Sequence, residues 1–240
     1  MVTQRQLSEV ALLLLTTPDD TEEAPWMVMP DFQWRVIALL VSLLRLHALR
    51  AGQRWYLAPE LKVTLPRPGG GRPLDLAPDL LMAVADDVER DSWDVRKEGQ
   101  PPLFVLEVVT KESAVRDQEE KPLLYDALGV REYVLFAPRA RPGAPQLLGY
   151  RRDEAGRFVP WPVDAAGALW STALDLGLYV EGGKWLRARD AEGRRLPSAE
   201  EEAARAQHEA ARAQHEAARA DRAEAELARL RALLRQQEDA

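Results

Sequence analysis

At 240 residues, 46% of them apolar, the chain is long enough for one sizeable domain with an appendage. It has no cysteine and only three histidines, His47, His208 and His215, which excludes disulfides and thiolate zinc and argues against a Ser-His-Asp hydrolase or a histidine zinc site. A formal charge of −7 argues against a broad basic coat for nucleic acid but permits a local groove, and any metal is expected to be hard and oxygen-liganded.

Residues 1–29 read as an extension, with a short helix candidate from Leu7 to Leu15 and an acidic linker from Asp19 to Glu23. The run Val10 to Leu15 lacks the basic flank and cleavage site of a secretion signal, so a cytoplasmic protein is expected. A strong helix follows at about Pro30 to Arg50, with Arg35, Ser42 and Arg45 on one stripe of an otherwise apolar surface. Its apolar stretch, Val36 to Leu49, reads as too short and too polar to span a bilayer, so no membrane partner is expected.

Strand candidates come next. Trp55 to Thr64 is one bent strand or two, Pro66 to Gly71 is a turn-rich connection, and Asp79 to Ala85 and Leu103 to Thr110 are buried strands. Between those two strands, Asp86 to Gln100 reads as a charged loop. A helix at about Asp117 to Leu128 has Gly129 as its C-cap candidate. Then come a strand at Tyr133 to Phe136 and a hairpin formed by Gln146 to Arg151 and Arg157 to Trp161. This order defines an α/β domain, residues 30–197, around a mixed sheet flanked by helices, with Ala168 to Pro197 as a wrap on its edge.

From Ser198 the composition changes. The segment Ala203 to Glu209 recurs unchanged as Ala210 to Glu216, and Leu227, Leu230 and Leu234 follow at spacings of three and four. Residues 198–240 therefore read as an Ala/Glu/Arg-rich helical tail suited to a weak coiled coil, and a homodimer or higher homo-oligomer through it is expected. A single solvated helix is the alternative.

The chemistry starts from Glu107, a lone carboxylate inside the apolar strand Leu103 to Val109. An ionised carboxylate there needs a cationic side chain, a set of donors or a metal ion. Val105, Glu107, Val109 and Lys111 share one strand face, and Asp79 opens the preceding strand. If the two strands are neighbours, both acids can serve one divalent cation.

Pro78-Asp79, Glu107-Val108, Ser113, Asp117, Lys121, Tyr125, Gly129-Val130 and Glu132-Tyr133, in this order, resemble the Uma2 family of restriction endonuclease-like proteins. The resemblance runs from about Pro30 to Leu196 and implies a PD-(D/E)XK nuclease fold. It further implies Mg2+, with Mn2+ as the other option, held by Asp79 and Glu107 for phosphodiester hydrolysis of DNA. The wider nuclease pattern has lysine two residues after the glutamate; Val109 stands there, so the resemblance points to Lys121 or Lys111 as the assisting lysine. Pro122 directly after Lys121 implies that the helix starts or kinks at that point. Gln33 occupies a place where many members carry histidine. Arg116, Arg139 and Arg141 are candidates for tracking phosphates. The alternative function is a nuclease fold without catalysis, binding nucleic acid or protein and assembled by its tail.

Overall fold

The computed structural model describes residues 31–65, 73–110, 113–138, 140 and 146–238. The helix candidate at Leu7 to Leu15, the turn at Pro66 to Gly71, Lys111, Arg139 and Arg141 lie outside the described residues. The chain divides into two compact units, Met1–Leu196 and Pro197–Ala240.

Helix α1 (Asp31–Ala51) opens the described part of the first unit. Its apolar positions recur at spacings of three and four, so Val36, Ile37, Leu40, Leu43, Leu44 and Ala48 fall on one buried face. Gly52 ends it in a left-handed conformation (φ 64°), with Gln53 N–H donating to the Ala48 carbonyl at 2.8 Å. The helix agrees with the Pro30 to Arg50 reading to within one residue at each end and, by length and composition alone, is long and apolar enough to cross a membrane. Its buried face belongs to the core of this unit.

The main sheet has six strands: β1 (Trp55–Pro59), β4 (Leu80–Val84), β6 (Phe104–Val108), β7 (Glu132–Phe136), β8 (Leu147–Arg152) and β9 (Phe158–Trp161). They lie in the order β1-β4-β6-β7-β8-β9, with β6 and β7 parallel and every other pair antiparallel. A parallel pair needs a long crossover, here a π-helical turn (Arg116–Glu120) and a helix (Lys121–Leu128). Side chains alternate across the sheet. Leu80, Met82, Phe104, Leu106, Val108, Val134 and Phe136 share a core with α1. On the other face, Leu81, Ala83, Val105, Tyr133 and Leu135 pack with Leu124, Tyr125 and Leu128 of the crossover helix.

One open alternative is settled here and two readings are corrected. Trp55 to Thr64 is two strands, β1 and β2 (Val63–Leu65), separated at Glu60, which adopts φ 49°. The charged loop Asp86 to Gln100 contains β5 (Trp93–Asp94) and the short helix α2 (Val95–Glu98). With β3 (Leu74–Leu76), β2 and β5 form a small sheet ordered β3-β2-β5. Trp93 is fully buried there, stacks on Tyr56 at 5.6 Å and donates its indole N–H to the Gln100 carbonyl. The wrap at Ala168 to Pro197 is a three-stranded antiparallel sheet of β10 (Ala168–Ser171), β11 (Leu176–Glu181) and β12 (Trp185–Arg189). Its Leu169, Leu176, Leu178, Leu186 and Ala188 enter the α1 core.

With the crossover helix as α3, the second unit holds α4 (Ala199–Glu238). Its start is a reciprocal cap: Ser198 Oγ accepts from Glu201 N–H at 3.2 Å, and the Glu201 carboxylate accepts from Ser198 N–H at 3.0 Å. Residues 203–231 of this helix are exposed.

Candidate active site

Asp79 and Glu107 come from adjacent strands. Leu80 pairs with Leu106 across the antiparallel β4–β6 ladder, so Asp79 stands just outside the ladder beside Glu107, at the C-terminal end of β6. Asp79 Oδ2 accepts the Val108 N–H at 2.6 Å, and Oδ1 accepts Gln33 Nε2 at 2.7 Å. The first turn of α1 thus reaches the site through Gln33.

Strand alternation aims Glu107 at the crossover helix, away from α1. Tyr125 donates its hydroxyl to Glu107 Oε1 at 2.9 Å, and Lys121 Nζ lies 2.7 Å from the same oxygen. Lys121 Nζ is also 2.8 Å from Asp117 Oδ1, although that oxygen makes no aligned hydrogen bond. Asp117, which the sequence marks only as one of the residues that carry the family resemblance, lies in the charged run Arg116 to Lys121 yet is only 1% exposed. Its backbone carbonyl accepts the Tyr133 hydroxyl at 2.9 Å, which fixes the turn against β7.

Pro122 explains the local geometry. Proline has no N–H and crowds the preceding turn, so a regular α-helix through it is disfavoured. Here the turn before it widens to π geometry, with Lys121 N–H donating to the Arg116 carbonyl, and the α-helix begins at Lys121. The widened turn places Asp117 and Lys121 side by side above Glu107. Gly129 closes the helix at φ 92°, with Val130 N–H donating to the Tyr125 carbonyl at 3.0 Å.

The electrostatics follow from three acids around one amine. Burial pushes Glu107 up to about 8, Asp79 and Asp117 add to the rise, and Lys121 opposes it. Burial likewise raises Asp79 to about 6, against the Val108 N–H, Lys121 and Gln33. Burial works against the charge on Lys121, but Glu107 and Asp117 outweigh it and hold that amine above the ordinary lysine value. Lys121 is therefore the fixed positive charge, and the shortage of positive charge falls on the carboxylates. The Tyr125 hydroxyl, raised well above its usual value first by burial and then by Glu107, stays a donor.

Among the described residues, no three acidic or histidine groups are gathered in a metal cage. The donor set nevertheless fits a hard divalent cation: Asp79 and Glu107 supply carboxylate oxygens. The Tyr125 hydroxyl and the Lys121 amine both lie on Glu107 Oε1. A cation would also offset the burial that raises both acids and the like charges that add to the rise. Of the other singled-out residues, Val109 is buried and adds no charge, His47 packs on Trp55 at 5.8 Å, and Arg116 is exposed, 4.0 Å from Glu120.

A mixed sheet flanked by helices, with two acids on neighbouring strands, is the arrangement that the resemblance to restriction-endonuclease-like proteins implies, while the lysine comes from the crossover instead of the strand. A protein-family model described as "Uma2: Putative restriction endonuclease" matches residues 23–181, well over half of the chain, and the protein belongs to the Uma2 family. A crystal structure from Anabaena variabilis, described as a "putative nuclease belonging to DUF820", is similar at a TM-score of 0.42 and 13% identity. That likeness covers 61% of this chain and 75% of the other, and at that distance it carries no argument about residues. No curated protein matches the chain.

Proposed function

We propose that this protein is a Mg2+-dependent endonuclease that hydrolyses DNA phosphodiester bonds, with Mn2+ as a substitute cation. The observation that carries the reading is the buried set of Asp79 and Glu107 on adjacent strands with Lys121 Nζ 2.7 Å from Glu107. Asp79 and Glu107 would hold the cation, which when bound supplies Lewis-acid neutralisation of phosphate charge. Gln33 and the Val108 N–H fix the Asp79 carboxylate, and Tyr125 fixes Glu107. Lys121 brings the lysine charge that Val109 does not, and it would stabilise charge developing on the phosphate. Arg116, exposed on the turn that carries Asp117, would contact a backbone phosphate, and such contacts weaken steeply with salt.

Single-turnover cleavage of a DNA duplex tests this. Asp79→Asn keeps the side-chain size and should lower the rate by about 10²-fold or more, since one carboxylate ligand supports several kcal/mol of charge stabilisation. An unchanged rate would remove Asp79 from the site. The same ion pair also suits an inert nuclease fold that binds nucleic acid or protein. Loss of divalent-cation binding altogether would select that alternative.

The tail is proposed to pair copies of the chain. Support comes from its seven-residue repeat and from Leu227 and Leu230, about half exposed on a long helix. Removing residues 198–240 should convert a dimer or higher oligomer to monomer in sedimentation. The same mass per particle with and without the tail would defeat the proposal.

A further inference from the structure

The Lys121 amine sits on the carboxylate that the proposed cation site needs, and it has a second carboxylate to move to. Its Nζ is 2.7 Å from Glu107 Oε1 and 2.8 Å from Asp117 Oδ1, and its side chain is only 11% exposed. Asp117 is 1% exposed, its backbone carbonyl accepts the Tyr133 hydroxyl, and Lys121 is its one cationic partner among the described residues. We propose that Lys121 is a built-in counter-ion that competes with the divalent cation for Glu107, and that Asp117 is the positioning residue that retains the displaced ammonium beside the site. This rests on the proposed metal site but adds an order of events to it. Before the cation arrives, Lys121 neutralises Glu107. As the cation takes Glu107, the ammonium shifts its weight to Asp117, one helical turn back, and is left facing the region where phosphate charge develops. The device needs Asp117 on the same helix, and the π-helical turn before Pro122 places it there.

The signs of two substitutions separate this from a plain structural ion pair. Lys121→Met removes the competitor. A proton on Glu107 then competes more strongly, but a divalent ion feels the lost ammonium field about twice as strongly as a proton does, so a net gain in cation affinity remains. Asp117→Asn removes the seat for the displaced ammonium and should weaken the cation. The experiment is titration calorimetry of the full chain with MgCl2 and with MnCl2 at pH 8.5, for the wild type, Lys121→Met, Lys121→Arg and Asp117→Asn. Thermal melts run alongside to confirm that each variant is folded. A charge adjacent to a carboxylate is worth about one to three pK units. Accordingly, Lys121→Met should bind the cation about 10-fold more tightly or better, Lys121→Arg should stay near the wild type, and Asp117→Asn should bind about 10-fold more weakly. Equal or weaker binding in folded Lys121→Met overturns the competition while leaving the metal site standing. Absence of binding in every protein, wild type included, overturns both this inference and the proposed function.

Discussion

Without divalent cation, the protein should lose stability between pH 5 and pH 8.5, and Glu107→Gln should remove most of that loss. Glu107 sits near 8 and Asp79 near 6 in the folded protein, both above their ordinary values and both chiefly because of burial. A raised acid binds protons in the native state that the unfolded chain has released. Its stabilising contribution is therefore complete below the ordinary carboxylate range and is lost as pH rises through the folded value. For Glu107, 3% exposed, the loss is on the order of several kcal/mol across that window. Glutamine keeps a carbonyl for the Tyr125 hydroxyl and leaves Lys121 on Asp117. At pH 5 the two proteins should melt within a few degrees of each other. At pH 8.5 the variant should melt about 5 °C or more above the wild type, at roughly 2–4 °C per kcal/mol for a chain of this size. Millimolar Mg2+ should restore the wild type selectively. A gap between the two melting temperatures that does not change with pH would refute the assignment of the strain to Glu107. Such a result would also weaken the view that the site trades stability for function.

Glu132→Ala should destabilise the fold by about 3–5 kcal/mol, the scale for emptying one side of a buried charged hydrogen-bond cluster. Glu132 opens β7 and is 1% exposed. Its carboxylate accepts the Thr172 N–H at 2.8 Å, the Thr172 hydroxyl at 2.8 Å and the Ala173 N–H at 3.2 Å, and it also accepts the Ser171 hydroxyl. These donors lie at the end of β10 and in the turn before β11, so this one carboxylate ties the three-stranded sheet to the main sheet. Alanine strands the donors, whereas Glu132→Gln keeps one acceptor and should lose about half as much. Chemical denaturation measures both. A loss below about 1 kcal/mol for the alanine variant would mean that water replaces the carboxylate without penalty. Cleavage by the remaining folded molecules should be unchanged, because Glu132 touches none of Asp79, Glu107 or Lys121 among the described contacts.

The contrast between Glu107 and Glu132 shows what was legible in the sequence. Glu107 stood out because a carboxylate interrupted an apolar strand, and Asp79 because it opened the preceding one. Their adjacency followed from strand order, which the structure has as a direct antiparallel pair. Glu132 entered only through the family resemblance, and its structural role was not legible because its partners lie some forty residues later. Asp117 also entered only through the resemblance: the crossover geometry is what sets it apart from its charged neighbours. Pro122 was recognised as a disturbance, but sequence alone did not say that a widened turn would absorb it. The β10–β12 sheet had a readable period of two, with Leu176, Leu178 and Val180 inward and Gly177, Tyr179 and Glu181 alternating with them. Its short strands and aromatic content made it resemble an irregular wrap. Trp93 was obscured by the acids and bases around it, although burying so large a ring against Tyr56 is what gives the apparent loop its structure.

The most direct test of the central claim is cleavage of supercoiled plasmid in Mg2+ or Mn2+, comparing wild type with Glu107→Gln. Nicking that requires the cation and falls by at least about 10³-fold in the variant is the predicted result, since the change removes a ligand carboxylate while sparing the fold. Equal cleavage by the two proteins would contradict the account.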